Sequence, residues 1–231
     1  SDVYKRQASS GEWKAMVADE AARTTFAKNI KTVLEKNKLD GIDLDFEWAE
    51  NEKEYKDYSL AILKMREVLG DKYLFSVSLH PVCYKISKEA IEAVDFISLQ
   101  CYGPSPVRFP IEKYCSDIQM VLEYGIPKEK LVAGVPFYGV TKDNSKKTEA
   151  YFNFVQNGLV TSPAQNEVIY QGDTYVFDGQ DNIRIKTRYA KEQKLKGMMS
   201  WDLATDLPLS DSRSLLKTMT EESVSYTHLT L

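Results

Sequence analysis

Asp40-Gly41-Ile42-Asp43-Leu44-Asp45-Phe46-Glu47-Trp48 is the stretch whose reading decides the fold. As a β-strand it alternates its side chains between two faces. Asp43, Asp45 and Glu47 then share one face, and Ile42, Leu44 and Phe46 share the other. The residues before it, 29–38, read as the end of a helix, and 52–69 as the next helix. A strand between two helices in this rhythm belongs to a βα unit and a parallel sheet, whose strands are usually buried and apolar on both faces. Three carboxylates along one face of a buried strand are costly and call for a function.

Carboxylates two residues apart on a strand are separated by about 6.6 Å. At an effective dielectric near 20 two such charges repel by about 2.5 kcal/mol, which favours a proton shared among the three at neutral pH. A carboxylic acid kept protonated is what a general acid requires. Three other readings compete. A solvated edge strand would turn the acids outward. A calcium loop needs a glycine where Trp48 stands. A metal-bound Asp-Leu-Asp of a nucleotide-sugar transferase leaves the third acid and the missing phosphate loop unexplained.

Outward from this strand the pattern continues. Helices are expected over 19–36, with Phe26, Ile30, Val33 and Leu34 on one face, and over 52–69, closed by Gly70. Further strands are expected over 73–79, 95–103, 130–139 and 195–202, and further helices over 87–94 (capped by Ser87), 111–124, 181–194 and 214–219. Between 141 and 178 the rhythm stops, and 167–170 and 174–177 read as short strands of a small insertion. The 231 residues suffice for one domain with a sizeable core. A net charge of −4 with scattered Lys and Arg argues against a nucleic-acid surface. No apolar run is long enough to span a bilayer. The three cysteines Cys83, Cys101 and Cys115 form neither a zinc spacing nor a disulfide framework.

Asp40-Gly-Ile-Asp43-Leu-Asp45-Phe-Glu47 resembles the D-x-x-D-x-D-x-E signature of glycoside hydrolase family 18, the chitinases and related endo-β-N-acetylglucosaminidases. Other stretches resemble the family in the same order, over roughly 9–221. Ala8-Ser9-Ser10-Gly11-Glu12-Trp13 is similar to the end of the third barrel strand, with Glu12 in place of a glycine. Gln100-Cys101-Tyr102-Gly103 is similar to Met-x-Tyr-Asp, with Gln100 and Gly103 departing from it. Pro136-Phe137-Tyr138-Gly139 matches Pro-x-Tyr-Gly, with Val140 where many members have Arg. Met199-Ser200-Trp201 is similar to the end of the eighth strand.

The resemblance implies an α/β fold, a partial (β/α)8 barrel lacking its first two to three strands, with a small insertion after strand 7. It places a catalytic-domain fragment at 8–222, with the insertion at about 141–178. Residues 1–7 and 223–231 look like non-native scars. The resemblance also implies retaining, substrate-assisted hydrolysis of β-1,4-linked N-acetylglucosamine glycans, an exception to the two-carboxylate scheme. Glu47 is then the acid and base, Asp45 holds the acetamido N–H, Asp43 tunes Asp45, and Tyr102 binds the acetamido carbonyl. Trp201, Gln100, Tyr138, Trp48 and Trp13 are the expected substrate contacts. No metal and no cofactor are expected. The expected partner is an N-acetylglucosamine oligo- or polysaccharide, bound by a monomer with no nucleic acid and no membrane span. A secreted, periplasmic or cell-surface place in a bacterium is implied. Cleavage of the N-glycan core and a non-catalytic chitin- or glycan-binding protein are the alternatives.

Overall fold

The computed structural model describes residues 10–102, 109–143 and 147–224. They fall into two compact units, 10–98 with 124–126 and 99–123 with 127–224.

The first unit runs α1 (Ser10–Ala18), α2 (Glu20–Asn37), β1 (Gly41–Asp45), α3 (Glu52–Leu69), β2 (Leu74–Leu79), α4 (Lys88–Ala93) and β3 (Phe96–Leu99), whose last residue opens the second unit. Local chemistry sets these bounds. The Asp19 carboxylate caps α2 by accepting from Ala22 N at 2.7 Å, Asn51 caps α3 through Glu54 N at 3.1 Å, and Ser87 caps α4 through Ala90 N at 3.2 Å. The strands stand in the order β1-β2-β3, with β1 and β2 parallel and in register from Gly41 opposite Leu74 to Asp45 opposite Ser78. Gly41 is required at the entry, because a Cβ there would lie 2.1 Å from the Leu74 carbonyl oxygen. One sheet face packs on the helices: Phe75, Val77 and Leu79 of β2 are buried, as are Ile62 and Met65 of α3. Asp95 pins the entry to β3, accepting from Phe75 N at 2.7 Å and pairing with Arg66 at 2.8 Å.

The second unit contains α5 (Ile111–Tyr124, whose last residue counts with the first unit), β4 (Leu131–Pro136), β5 (Tyr138–Thr141), β6 (Thr148–Ala150), α6 (Tyr151–Gln156), β7 (Glu167–Tyr170), β8 (Asp173–Val176), α7 (Gln180–Glu192), β9 (Gly197–Trp201) and α8 (Leu215–Val224). β4 and β9 pair in parallel, from Val132 opposite Gly197 to Pro136 opposite Trp201. The insertion is an antiparallel sheet in the order β6-β5-β8-β7 with α6 packed on it. Its core is aromatic: Phe154 meets Tyr170, Tyr175 and Phe177 at centroid distances of 5.9, 5.4 and 5.4 Å. The Asp206 carboxylate starts α8 by accepting from Leu215 N and Leu216 N at 3.0 and 2.8 Å.

Parallel strands alternating with helices are the pattern of a partial (β/α) barrel, as expected, and the two runs read as insertion strands are β7 and β8. Four expectations are corrected. Residues 10–13 begin α1 instead of ending a strand; sequence analysis had overlooked this helix. β1 pairs only with β2 among the described residues, and Asp43, Asp45 and Glu47 are half-buried where a fully buried strand was expected. The stretch 130–139 is two strands, because Pro136 ends the parallel ladder and Tyr138 opens the antiparallel one. The strand expected over 95–103 stops at Leu99, leaving Gln100 to Tyr102 in the turn beyond it. Residues 1–7 lie outside the described residues. Of the suspected scar at 223–231, Ser223 and Val224 continue α8 and the rest lies outside.

Ile62 has no exposed surface. Ile62→Ala is expected to lower the unfolding free energy by about 2–5 kcal/mol, read from urea denaturation followed by circular dichroism.

Candidate active site

In the first unit the in-register pairing of β1 with β2 sets two polar rows side by side. Asp43 stands opposite Ser76 and Asp45 opposite Ser78. Asp43 is gripped twice, by Ser76 Oγ donating to one carboxylate oxygen at 2.5 Å and by Ser78 Oγ donating to the other at 2.7 Å. Two hydroxyl donors on one carboxylate fix its plane. Glu47 lies two residues past the end of β1, and the peptide bond joining it to Trp48 is cis. The indole of Trp48 meets the imidazole of His80 edge-on at 4.8 Å. His80 Nδ1 accepts from Val82 N at 3.3 Å.

Beneath this row lies an apolar layer. The Tyr58 hydroxyl donates to Leu44 O at 3.3 Å. Burial pushes the Tyr58 phenol well up, and the charges of Asp43 and Asp45 add to the effect, so it stays neutral. Burial also raises the Cys83 thiol, which accepts from Ala49 N at 3.2 Å just past Trp48. The charges of Glu54 and Glu47 push the same way. Trp13 joins the apolar layer, with its ring 5.5 Å from Phe26 and 6.2 Å from Phe46. Phe46 is buried, and Trp13, which packs against it, is half-buried.

In the second unit Tyr102, Phe109 and Val140 form a buried cluster against which Tyr138, Val176 and Met199 pack. Tyr138 receives Tyr102 at 6.4 Å and Phe109 at 6.1 Å, both near-perpendicular at 83° and 84°. The Tyr102 hydroxyl points at Met199 Sδ, 3.9 Å away. Gly134 makes room for this arrangement. A Cβ there would come within 2.7 Å of Leu99 O and 3.0 Å of both Met199 Cε and Tyr102 Cε1. Trp201 ends β9, is 39% exposed, and accepts from Phe137 N at 2.8 Å through its carbonyl. Since β4 and β9 are parallel, Tyr138 and Trp201 lie at the same, C-terminal end of that pair. The peptide bond from Trp201 to Asp202 is also cis. Gln100 is buried in the turn past β3. Gly103, the other departure from the family's Met-x-Tyr-Asp, lies outside the described residues.

A family model described as glycosyl hydrolases family 18 matches residues 6–206. The chain belongs to this family. A probable chitinase 2 of Drosophila melanogaster is 23% identical over 261 residues, covering 85% of this chain and 54% of the relative. The chain thus spans about half the length of that curated relative. Among solved structures, the family 18 chitinase ChiB from the chitin utilization locus of Flavobacterium johnsoniae superposes with a TM-score of 0.78 at 26% identity, over 94% of this chain and 70% of that one. A chitinase-like agglutinin of Robinia pseudoacacia shares the fold with a TM-score of 0.78 at 19% identity, over 93% of this chain and 76% of its own. Family 18 is a (β/α)8-barrel family, and in such barrels the chemistry sits at the C-terminal ends of the strands. Within their own units, Glu47 lies just past the end of β1, Tyr138 just past the end of β4, and Trp201 at the end of β9.

Sequence analysis missed Ser76, Ser78, Phe109 and Met199. The two serines had a signal: in Leu74-Phe-Ser-Val-Ser-Leu79 they alternate with buried apolar residues and so form a polar face. Phe109 and Met199 had none, since their part depends on where Tyr138 and Tyr102 fold. Among the described residues no three His, Cys, Asp or Glu side chains come together as metal ligands. No described helix is long and apolar enough to cross a membrane.

Gly134→Val is expected to drive Tyr102 from its place. The variant should lose about 1–3 kcal/mol of stability and show an altered near-ultraviolet tyrosine dichroism.

Proposed function

We propose that this chain carries the catalytic residues of a retaining, substrate-assisted hydrolase of β-1,4-linked N-acetylglucosamine glycans, chitin-like in its substrate. The observation that supports this most is the acid row: Asp43 held between Ser76 and Ser78, with Asp45 two residues on along β1 and Glu47 two residues past the end of that strand. Glu47 protonates the leaving glycosidic oxygen as the acetamido oxygen of the sugar attacks its own anomeric carbon. Asp45 accepts the acetamido N–H and balances the positive charge of the oxazolinium ion. Asp43, fixed by its serines, sets the charge that Asp45 meets. Glu47 then takes a proton from the incoming water, which opens the oxazolinium with net retention. Tyr102 is assigned the acetamido carbonyl, Trp201 the floor under the reacting sugar, and Tyr138 and Trp48 further sugar contacts. Trp13, half-buried against Phe26 and Phe46, keeps its assignment as a further sugar contact.

Two competing readings have a specific observation behind them. Gln100 stands where the family's chitinases carry Met, which favours the chitobiose core of N-glycans as substrate. The shared fold of a chitinase-like agglutinin favours binding without turnover, against which the intact Glu47 weighs.

Glu47→Gln is expected to cut turnover of a chito-oligosaccharide by about 10²-fold or more while leaving its affinity within about twofold. A wild-type rate in this variant would remove Glu47 as the acid, and a wild type that binds without turning over would establish the agglutinin-like reading. Asp45→Ala should lose turnover and, in the same measurement series, affinity for thiazoline mimics of the oxazolinium ion. Parallel assays on chitin oligomers and a high-mannose glycoprotein separate the two substrates.

A further inference from the structure

The second unit holds a buried charge pair that the hydrolytic reaction does not use. Lys186 of α7 and Asp178, just before α7, have side chains 1% and 0% exposed. Lys186 Nζ donates to Asp178 Oδ2 at 2.5 Å and to the Phe109 carbonyl oxygen at 2.9 Å, and lies 5.5 Å from the centre of the Tyr114 ring. The other Asp178 oxygen accepts from Asn182 Nδ2 at 3.1 Å. Burial raises the Asp178 carboxyl, and Lys186 and Asn182 oppose that rise. A carboxylate, a carbonyl and a ring face therefore surround one ammonium group.

Stability gives no sufficient reason for such a pair, because apolar residues of equal volume fill such a site as well or better. Position does. Phe109 takes the lysine bond on its main chain and presents its ring to Tyr138, which in turn meets Tyr102. The bond to Phe109 O is directional where apolar packing is not. It ties the height of the Phe109 ring to α7 and to the end of the insertion at Asp178.

We propose that Lys186 and Asp178 are positioning residues for a carbohydrate-binding aromatic wall, holding Phe109 so that its ring sets Tyr138 and, through it, Tyr102. The pair touches no substrate and acts through Phe109. The identity of the ligand, an N-acetylglucosamine chain, rests on the hydrolase reading; the positioning itself does not.

The test compares Lys186→Met, the double variant Lys186→Met/Asp178→Leu, and the wild-type chain. The single variant leaves a buried carboxylate without its cation and should melt well below wild type. The double variant should recover the melting temperature. Its KM for a chromogenic chito-oligosaccharide should nevertheless stay raised about tenfold, with kcat lowered as well because Tyr102 is displaced, and its near-ultraviolet tyrosine dichroism should stay altered. A double variant with wild-type KM and a wild-type tyrosine band overturns the proposal. Should the wild type not turn the substrate over, the hydrolase reading fails, and the tyrosine band alone decides the positioning. Should the double variant not fold, Phe109→Ala decides instead. It keeps the carbonyl that accepts from Lys186 and removes the ring, so a raised KM or altered tyrosine band supports the proposal, and wild-type values for both overturn it.

Discussion

The first unit depends on one contact between strands: the Asp43 carboxylate held by the hydroxyls of Ser76 and Ser78 across the parallel pair β1–β2. A carboxylate on a sheet face loses hydration, and only donors placed at the strand spacing replace it without disturbing the ladder. In-register pairing does this, because a residue on β2 lies beside each residue on β1. A slip of one residue would turn Ser76 and Ser78 to the helix layer and Phe75 and Val77 to the acids. The acid row and the apolar core of the unit are thus held by the same register, and neither could shift without the other.

The second unit solves a different problem. Its Tyr102, Phe109 and Tyr138 rings meet near-perpendicular, an arrangement that suits aromatic quadrupoles. Edge-to-face contacts hold large flat side chains at set angles. The space for these rings comes from backbone: Gly134 leaves Tyr102 its place, and Pro136 ends β4 so that Tyr138 can turn into the insertion sheet. The insertion is therefore structurally continuous with the aromatic cluster, sharing Val140 and Val176 with it.

Much of the fold was legible because its signals are local. The helices over 52–69 and 111–124 have the expected bounds, since their apolar spacing lies within the segment itself. Asp19 and Ser87 cap their helices, where short polar side chains satisfy the first free N–H groups. Alternation marked the acids of β1, and turn residues marked β7 and β8. The signals failed where the deciding partner is distant. Ser10 to Trp13 matched a strand end in composition, yet they form a helix whose Trp13 ring is received by Phe26 and Phe46. The run through Pro136 looked continuous because both its halves are apolar and β-rich; the change of partner strand at Tyr138 is a matter of sheet pairing.

By itself, then, the sequence determined the alternation of strand and helix, the two acids on one face of β1 with a third just beyond it, and membership of a family of glycoside hydrolases, all of which are properties of short stretches and their order. Only the tertiary structure decided that Asp43 is held by two serines, that the Trp13 ring meets Phe26 and Phe46, that Phe109 stands against Tyr138, and that a buried Lys186 reaches the Phe109 carbonyl. The physical reason is separation along the chain. Lys186 and Phe109, or Asp43 and Ser78, meet only after whole elements have packed, and no local propensity records which carbonyl or carboxylate a distant side chain will find.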